Sequence, residues 1–293
     1  MLDHRIDTFI CVCDKMSYTK AAKALSMTQP AVSQHIKYLE KLYGVKLFTY
    51  EKKQLTLTEQ GRLLLMAART MKSDEGILRN KILELKSSSF KWRMGATMTV
   101  GDYAIIEPLK KYIDKHSDTE INLTIANTDE LLKKIKGHEI EFAVIEGYFP
   151  KEEYDYLHFS TERYIPVCSA DHTFKTSPKT LKDLVGQRLI MRERGSGTRD
   201  IMEKNLEAHG METDDFAHCM EVDSLAAIIQ LVKADCGITF LYEIAAAEEI
   251  QRGNLREIKL KDFVVEHDFT FVWNKGSIYA QEYRKICKEF TQL

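Results

Sequence analysis

Between Thr28 and Gly44 the chain has little choice but to form one amphipathic helix with fixed ends. Pro30 falls in the first turn, where its missing N–H costs nothing, and Gly44 is a stop signal. Val32, Ile36, Leu39 and Tyr43 recur at spacings of four, three and four, so one side of this helix is buried. Upstream, Ile6, Phe9, Ile10 and Cys13 recur in the same way. The hydroxyls of Met16-Ser17-Tyr18-Thr19 offer a cap for a second, short helix holding Ala21, Ala22 and Leu25. Ser26-Met27-Thr28 interrupts. Two helices joined by so short a turn, the second one longer, form a helix-turn-helix.

The outer face of the third helix gives the pattern its meaning. Gln29, Ser33, Gln34 and Lys37 point away from the apolar stripe, with Thr28 at the cap. Hydroxyls and amides can hydrogen-bond base edges in a major groove, and a lysine can meet phosphate. A face that is merely solvated would favour Glu and Lys over Gln and Ser. Val45 to Leu57 then alternates as two strands around Tyr50-Glu51-Lys52-Lys53-Gln54, a wing whose basic tip can reach a neighbouring phosphate backbone. Thr58-Glu59-Gln60 caps a long helix predicted to run to about Lys86. Its apolar positions include Leu64, Ala67, Ala68, Met71, Ile77, Leu78, Ile82 and Leu85. With no nearby element to cover that stripe, pairing with a second copy is the expected solution.

From Lys91 onward short strands alternate with helices. Strands are expected at Trp92–Ala96, Ile121–Ala126, Phe142–Glu146, Tyr164–Ser169, Arg188–Met191, His218–Val222, Gly237–Leu241 and Phe269–Trp273. Helices are expected around Ile105–His116, Thr128–Lys136, Thr198–His209 and Ser224–Lys233. The alternation implies α/β units with parallel sheets, which bind ligands outside the carboxyl ends of their strands.

Charge divides along the same line. The chain of 293 residues is nearly neutral at −2, yet residues 1–65 hold ten Lys/Arg against six Asp/Glu, so the remainder is acidic. A basic head on an acidic body suits a protein whose head alone touches nucleic acid. Hydrophobic residues at 44% exclude a disordered chain. No apolar run approaches the roughly 18 residues needed to span a bilayer, and the first residues lack an apolar signal core, so a soluble, cytoplasmic protein without membrane contact is expected. Six scattered cysteines without a C-x-x-C pair give neither a zinc ribbon nor a disulfide framework.

Over its full length the chain resembles a LysR-type transcriptional regulator. The resemblance is carried by Ser17-Tyr18-Thr19-Lys20-Ala21-Ala22-Lys23-Ala24-Leu25, by Thr28-Gln29-Pro30-Ala31-Val32-Ser33-Gln34-His35-Ile36 and Leu39-Glu40, and by Gly44-Val45-Lys46-Leu47-Phe48 and Leu57-Thr58-Glu59-Gln60-Gly61. The second half adds Gly95-Ala96-Thr97, Arg192-Glu193-Arg194-Gly195-Ser196-Gly197-Thr198-Arg199 and Gly237-Ile238-Thr239-Phe240-Leu241. It implies a multidomain protein: an α-helical winged helix-turn-helix over residues 1–60, a dimerising linker helix over 58–88, and two α/β subdomains arranged like a type 2 periplasmic binding protein. The first subdomain would take residues 91–163 and 269–293, the second 164–268. A homodimer or homotetramer on double-stranded DNA with an inverted-repeat operator is implied, with a small-molecule effector in the interdomain cleft and RNA polymerase as a further partner. The expected DNA contacts are Thr19, Thr28, Gln29, Pro30, Ser33, Gln34, Lys37, Lys52 and Lys53. Family members usually carry Arg two residues after the Leu-Phe pair; Tyr50 stands there, so a phosphate contact is lost or passes to Lys52 or Lys53.

Thr97-Met98-Thr99 follows the first α/β strand, and Thr128 follows the second, each just before a helix. Gly195-Ser196-Gly197-Thr198-Arg199 opens another helix, with two glycines that let a ligand approach the backbone. Ser224 opens a fourth. Hydroxyls and free N–H groups at helix starts suit an anion or carboxylate, and Arg192 and Arg199 flank the Gly-Ser-Gly loop. The expected effector contacts are Thr97, Met98, Thr99, Thr128, Arg192, Ser196, Gly197, Thr198 and Ser224; helix capping is the plain alternative for the hydroxyls, and structural ion pairs for the arginines.

Catalytic motifs are lacking. Ser196 has glycines on both sides but not the one-residue spacers of a nucleophile elbow, and the loop is neither a P-loop nor G-x-G-x-x-G. His138-Glu139 and Glu266-His267-Asp268 have no metal-ligand partners at useful spacing. No catalytic residue, metal or cofactor is expected. The competing readings are a solute-binding protein, against which residues 1–60 speak, and an enzyme on the same scaffold.

Overall fold

The computed structural model describes residues 3–51, 54–84 and 90–291. The chain forms two compact units, one of Met1–Ser88 with Glu152–Tyr154 and Asn274–Ala280, the other of the remaining residues.

In the first unit, α1 (His4–Lys15) is capped by Asp3, α2 (Tyr18–Ala24) by Ser17 and α3 (Gln29–Tyr43) by Thr28, each side chain accepting from a first-turn N–H. Gly44 closes α3 at φ 68°, in the left-handed region. Phe9, Val12, Ala21, Val32, Ile36 and Leu39 form the helical core, and the Phe48 ring meets Phe9 edge-on at 5.7 Å. β1 (Phe48–Glu51) and β2 (Gln54–Leu57) pair as an antiparallel hairpin; Lys52 and Lys53, expected at a basic wing tip, lie outside the described residues. α4 (Glu59–Glu84) starts where the Thr58 hydroxyl donates to the Lys46 carbonyl at 2.7 Å and accepts from the Gly61 N–H at 2.9 Å.

The expectation that nothing in the chain covers α4 is corrected in part. Ala68 belongs to the helical core, with Leu64 and Leu65 packed against it, and Ile77 is buried. Ser73 and Asp74 are buried too. Asn274 Nδ2 donates to Ser73 Oγ at 2.7 Å, Ser277 Oγ to Asp74 at 2.6 Å, and the Ile278 N–H to Asp74 at 3.0 Å. These partners come from a segment about two hundred residues downstream, which helical periodicity cannot reveal. Leu63, Met66, Met71, Leu78, Ile82 and Leu83 stay exposed, and Leu85 lies outside the described residues.

The second unit runs β3 (Phe90–Ala96), a π-helical turn (Val100–Ala104), α5 (Ile106–Lys115), β4 (Thr119–Ile125), α6 (Thr128–Lys136), β5 (Phe142–Ile145) and the long β6 (Tyr154–Ser169). It continues through β7 (Arg188–Met191), α7 (Gly197–Ala208), β8 (His218–Glu221), α8 (Leu225–Lys233), β9 (Thr239–Tyr242), α9 (Glu243–Gln251), β10 (Leu255–Glu257), β11 (Val265–Asn274) and α10 (Ala280–Thr291). Strand order in the main sheet is β10-β6-β11-β5-β3-β4, with β9 also on β6; β7 and β8 pair separately.

The sheets are not purely parallel, which corrects the sequence expectation. β3 is parallel to β4 and β5, and β7 to β8, but β11 runs against β5, and β9 and β10 run against β6. Parallel neighbours need a crossover, and α5, α6 and α7 supply one. Each expected strand overlaps an observed one, while α9, β10, α10 and the first half of β6 were not foreseen.

Candidate functional site

Two groups of residues were singled out, and each lies within one unit. On the first, Thr19, Thr28, Gln29, Pro30, Gln34 and Lys37 are exposed and Ser33 is half-buried, while Val32, Ile36 and Leu39 face the core. The polar side of α3 is therefore open along its N-terminal half. Tyr50 on β1 is 68% exposed.

In the second unit the ends of β3 and β5 and the starts of α6 and α7 converge. Thr97, Thr99, Thr128, Arg192, Ser196 and Thr198 are all buried, and Met98 is half-buried. What organises them is Glu146, immediately after β5. Its N–H donates to Thr97 Oγ1 at 3.3 Å, its carbonyl accepts from the Thr128 hydroxyl at 2.8 Å, and its carboxylate accepts from the Thr198 hydroxyl at 2.6 Å. The Asn127 amide donates to Glu193 at 3.2 Å, tying α6 to the loop before α7. Gly147 and Gly197 touch backbone to backbone: a Cβ on Gly147 would lie 2.5 Å from the Gly197 Cα, and one on Gly197 would overlap the Glu146 carbonyl oxygen. Only glycine allows so close an approach at these two positions.

Helix capping does not account for the threonines. α6 is capped by Asn127 rather than Thr128, and Thr99 makes no capping bond. Ser196 stands at the cap position of α7 yet makes no such bond, and its buried Oγ has no partner among the described residues. Ser224 is different: its hydroxyl accepts from the Ala227 N–H at 3.2 Å and caps α8, so the plain alternative holds there. The arginines are largely committed. Arg192 Nε and Nη2 donate to Glu193, leaving Nη1 buried and unpartnered among the described residues, while Arg199 bonds Glu203, Glu221 and the Arg192 carbonyl.

Sequence reasoning missed Glu146. A lone carboxylate closing the all-apolar run Phe142–Ile145 and followed by glycine was the available signal. Burial pushes its pKa up, against the Thr198 hydrogen bond, the nearby Thr99 hydroxyl and the Arg192 charge, which all favour the ionised form. Among the described residues its Oε2 has no hydrogen-bond partner. Burial also raises Asp200, helped by the like charges of Asp129 and Glu203.

Residues 87–290 match the LysR substrate binding domain, and residues 4–62 match the bacterial regulatory helix-turn-helix of the lysR family. This chain belongs to the LysR family. It is 30% identical over 278 residues to the transcriptional regulator CbbR of Rhodospirillum rubrum, covering 94% of this chain and 91% of that one. It is 29% identical over 285 residues to the transcriptional activator CmpR of a Synechocystis strain, covering 96% and 92%. Among solved structures, the Synechocystis CcmR regulatory domain in complex with 2-PG superposes with a TM-score of 0.61 at 21% identity, over 70% of this chain and 98% of that one. The LysR-family chain is thus a DNA-binding transcriptional regulator with an effector-binding domain, of a kind that oligomerises. Both of these relatives are transcriptional regulators. Among the described residues no helix is long and apolar enough to cross a membrane, and no His/Cys/Asp/Glu group of metal-site form occurs.

Proposed function

We propose that this LysR-family regulator reads an inverted-repeat operator through α3 and is switched by a small effector, carrying an anionic group, held between the β3, β5 and α7 ends. The carrying observation is the buried set of hydroxyls and the unpartnered Ser196 Oγ at the α7 N-terminus, where helix N–H groups favour negative charge. The CcmR regulatory domain, of the same fold, holds 2-PG. Residues 1–60 form the DNA-binding head and 58–88 the dimerising linker; 91–163 with 269–293 and 164–268 form the effector subdomains. Homodimers or homotetramers, in contact with RNA polymerase in the cytoplasm, complete this reading. A ligand shifts the regulator only by its differential affinity for two states.

Gln29, Ser33 and Gln34, together with Thr19, Thr28 and Pro30 around the helix start, meet bases and the adjoining backbone. Lys37 and the wing lysines Lys52 and Lys53 meet phosphate. Gln34→Ala is expected to lower the ratio of operator to random-duplex affinity by about 1–3 kcal/mol. Lys37→Ala should weaken both duplexes alike and reduce the salt slope by about one unit. An unchanged specificity ratio in Gln34→Ala would remove that residue from the readout.

The exposed apolar residues of α4, from Leu63 to Leu83, support pairing with a second copy. Two heads would then meet half-sites about 34 Å apart or a multiple of that. A fragment of residues 1–90 should sediment as a dimer at micromolar concentration, and Leu78→Glu should make it monomeric. A wild-type fragment that is monomeric throughout would contradict the assignment.

A further inference from the structure

The proposed effector site is odd for one that takes negative charge alone. Its two arginines are already matched by carboxylates, Arg192 by Glu193 and Arg199 by Glu203 and Glu221, whereas Glu146 forms no ion pair among the described residues. A ligand bearing only negative charge would meet Glu146 as a like charge in an interior where screening is weak.

Among the described residues, three buried atoms there have no hydrogen-bond partner: Glu146 Oε2, Ser196 Oγ and Arg192 Nη1. Native proteins rarely leave such atoms unsatisfied, and those that remain call for an explanation. One is an acceptor carrying negative charge, and one is a cationic donor. The third, a hydroxyl, stands at the α7 N-terminus. A purely cationic ligand would satisfy Glu146 and leave the other two alone; a purely anionic one would do the reverse. Both needs are met by a molecule with an ammonium group and a carboxylate. They must also be close together, because Glu146 Oε1 is bonded to Thr198, two residues from Ser196 in the same helical turn.

We propose, resting on the cleft reading above, that the effector is an α-amino acid, its ammonium on Glu146 Oε2 and its carboxylate on Ser196 Oγ, Arg192 Nη1 and the first N–H groups of α7. Thr97 and Thr99 line the same end of the cleft and set the distance between the two charged subsites. Glu146 thereby separates amino acids from hydroxy acids of the same shape.

The test uses the full-length protein and the twenty proteinogenic α-amino acids, each added alone in a thermal-shift measurement, followed by calorimetry on any hit. At least one should raise the melting temperature by several degrees. Its 2-hydroxy analogue, with hydroxyl in place of the ammonium, should bind about tenfold or more weaker. Glu146→Gln should bring the two analogues to within about twofold of each other, and Ser196→Ala should weaken both. A hydroxy acid that binds the wild type as well as its amino acid overturns the zwitterion while leaving the effector cleft in place. An amino acid whose affinity ignores both substitutions binds elsewhere, which overturns the cleft reading itself. Silence from all twenty overturns the amino-acid assignment; the wild-type comparison of analogues needs no variant to fold.

Discussion

A single methyl group added at Gly61 should destroy DNA binding by the regulator. A Cβ there would overlap the Leu47 carbonyl oxygen and lie 2.8 Å from Leu57 Cδ2 and 3.1 Å from the Leu47 carbonyl carbon. Leu47 cannot retreat. Its N–H donates to Glu40 Oε1 at 3.0 Å, its carbonyl accepts from the Thr58 N–H at 3.1 Å, and its side chain is buried in the helical core. Relief requires α4 to lift from the hairpin, which opens the core around Phe48 and Leu55. Gly61→Ala is expected to cost about 3 kcal/mol or more, at the upper end for overpacking. Gly44→Ala is the matched control: its φ of +68° is strained for alanine, but no atom lies within 4 Å. That substitution should cost about 1–2 kcal/mol and leave DNA binding measurable. Urea midpoints and duplex affinities on both variants decide the matter, and equal losses would refute the steric account.

The same contacts explain why the head was legible in its sequence. Its signals are local: caps at Ser17 and Thr28, Pro30 and Gly44 at the two ends of α3, and a three-four stripe between them. Each acts within a few residues, so reading the chain in order finds it. Even the Leu39-Glu40 pair has a local reason, since Glu40 reaches across the α3 end to the Leu47 N–H. What failed was contact at long separation. Asp74 meets Ser277 and Ile278, and nothing in the periodicity of α4 announces that. The first half of β6 was missed because Tyr154 to Arg163 alternates polar residues on its open side instead of forming an apolar run. The sheet was expected to be parallel because strand–helix alternation was the visible pattern, and β11 arrives from the far end of the chain to pair with β5.

The candidate site divides along the same principle. Thr97, Thr128, Ser196 and Thr198 are singled out by sequence because hydroxyls at strand-to-helix junctions are a local pattern, and the structure places them close together. Their common partner, Glu146, was hidden in a strand that reads as plain core. Gly147 and Gly197 likewise matter through each other, fifty residues apart, and not through any turn they form.

Glu146→Gln is expected to make the ligand-free regulator more stable, with the gain growing as pH rises. The carboxylate is buried, bonded on one oxygen to Thr198 and unpartnered on the other, so ionising it inside the fold is costly. Desolvation raises its pKa above the usual 4.5, with Thr198, Thr99 and Arg192 opposing. The folded state therefore holds this proton more tightly than the unfolded one. Its contribution to stability is fully present below pH 4.5, declines above it, and is lost once pH passes the folded value. An amide keeps an oxygen for the Thr198 hydroxyl and carries no charge to desolvate. The variant should gain about 1–3 kcal/mol near neutral pH and little in acid. Asp183, held low by the Lys179 and Thr180 N–H groups, and Glu289, held low by His116 and Lys115, act in the opposite direction in both proteins, so the difference between the two curves isolates Glu146. Melting temperatures of the two proteins from pH 4 to 8 provide the measurement. Curves that run parallel, or a variant less stable at pH 8 than at pH 4 relative to wild type, would mean that Glu146 is fully compensated in the resting cleft and has no unmet demand for a ligand to satisfy.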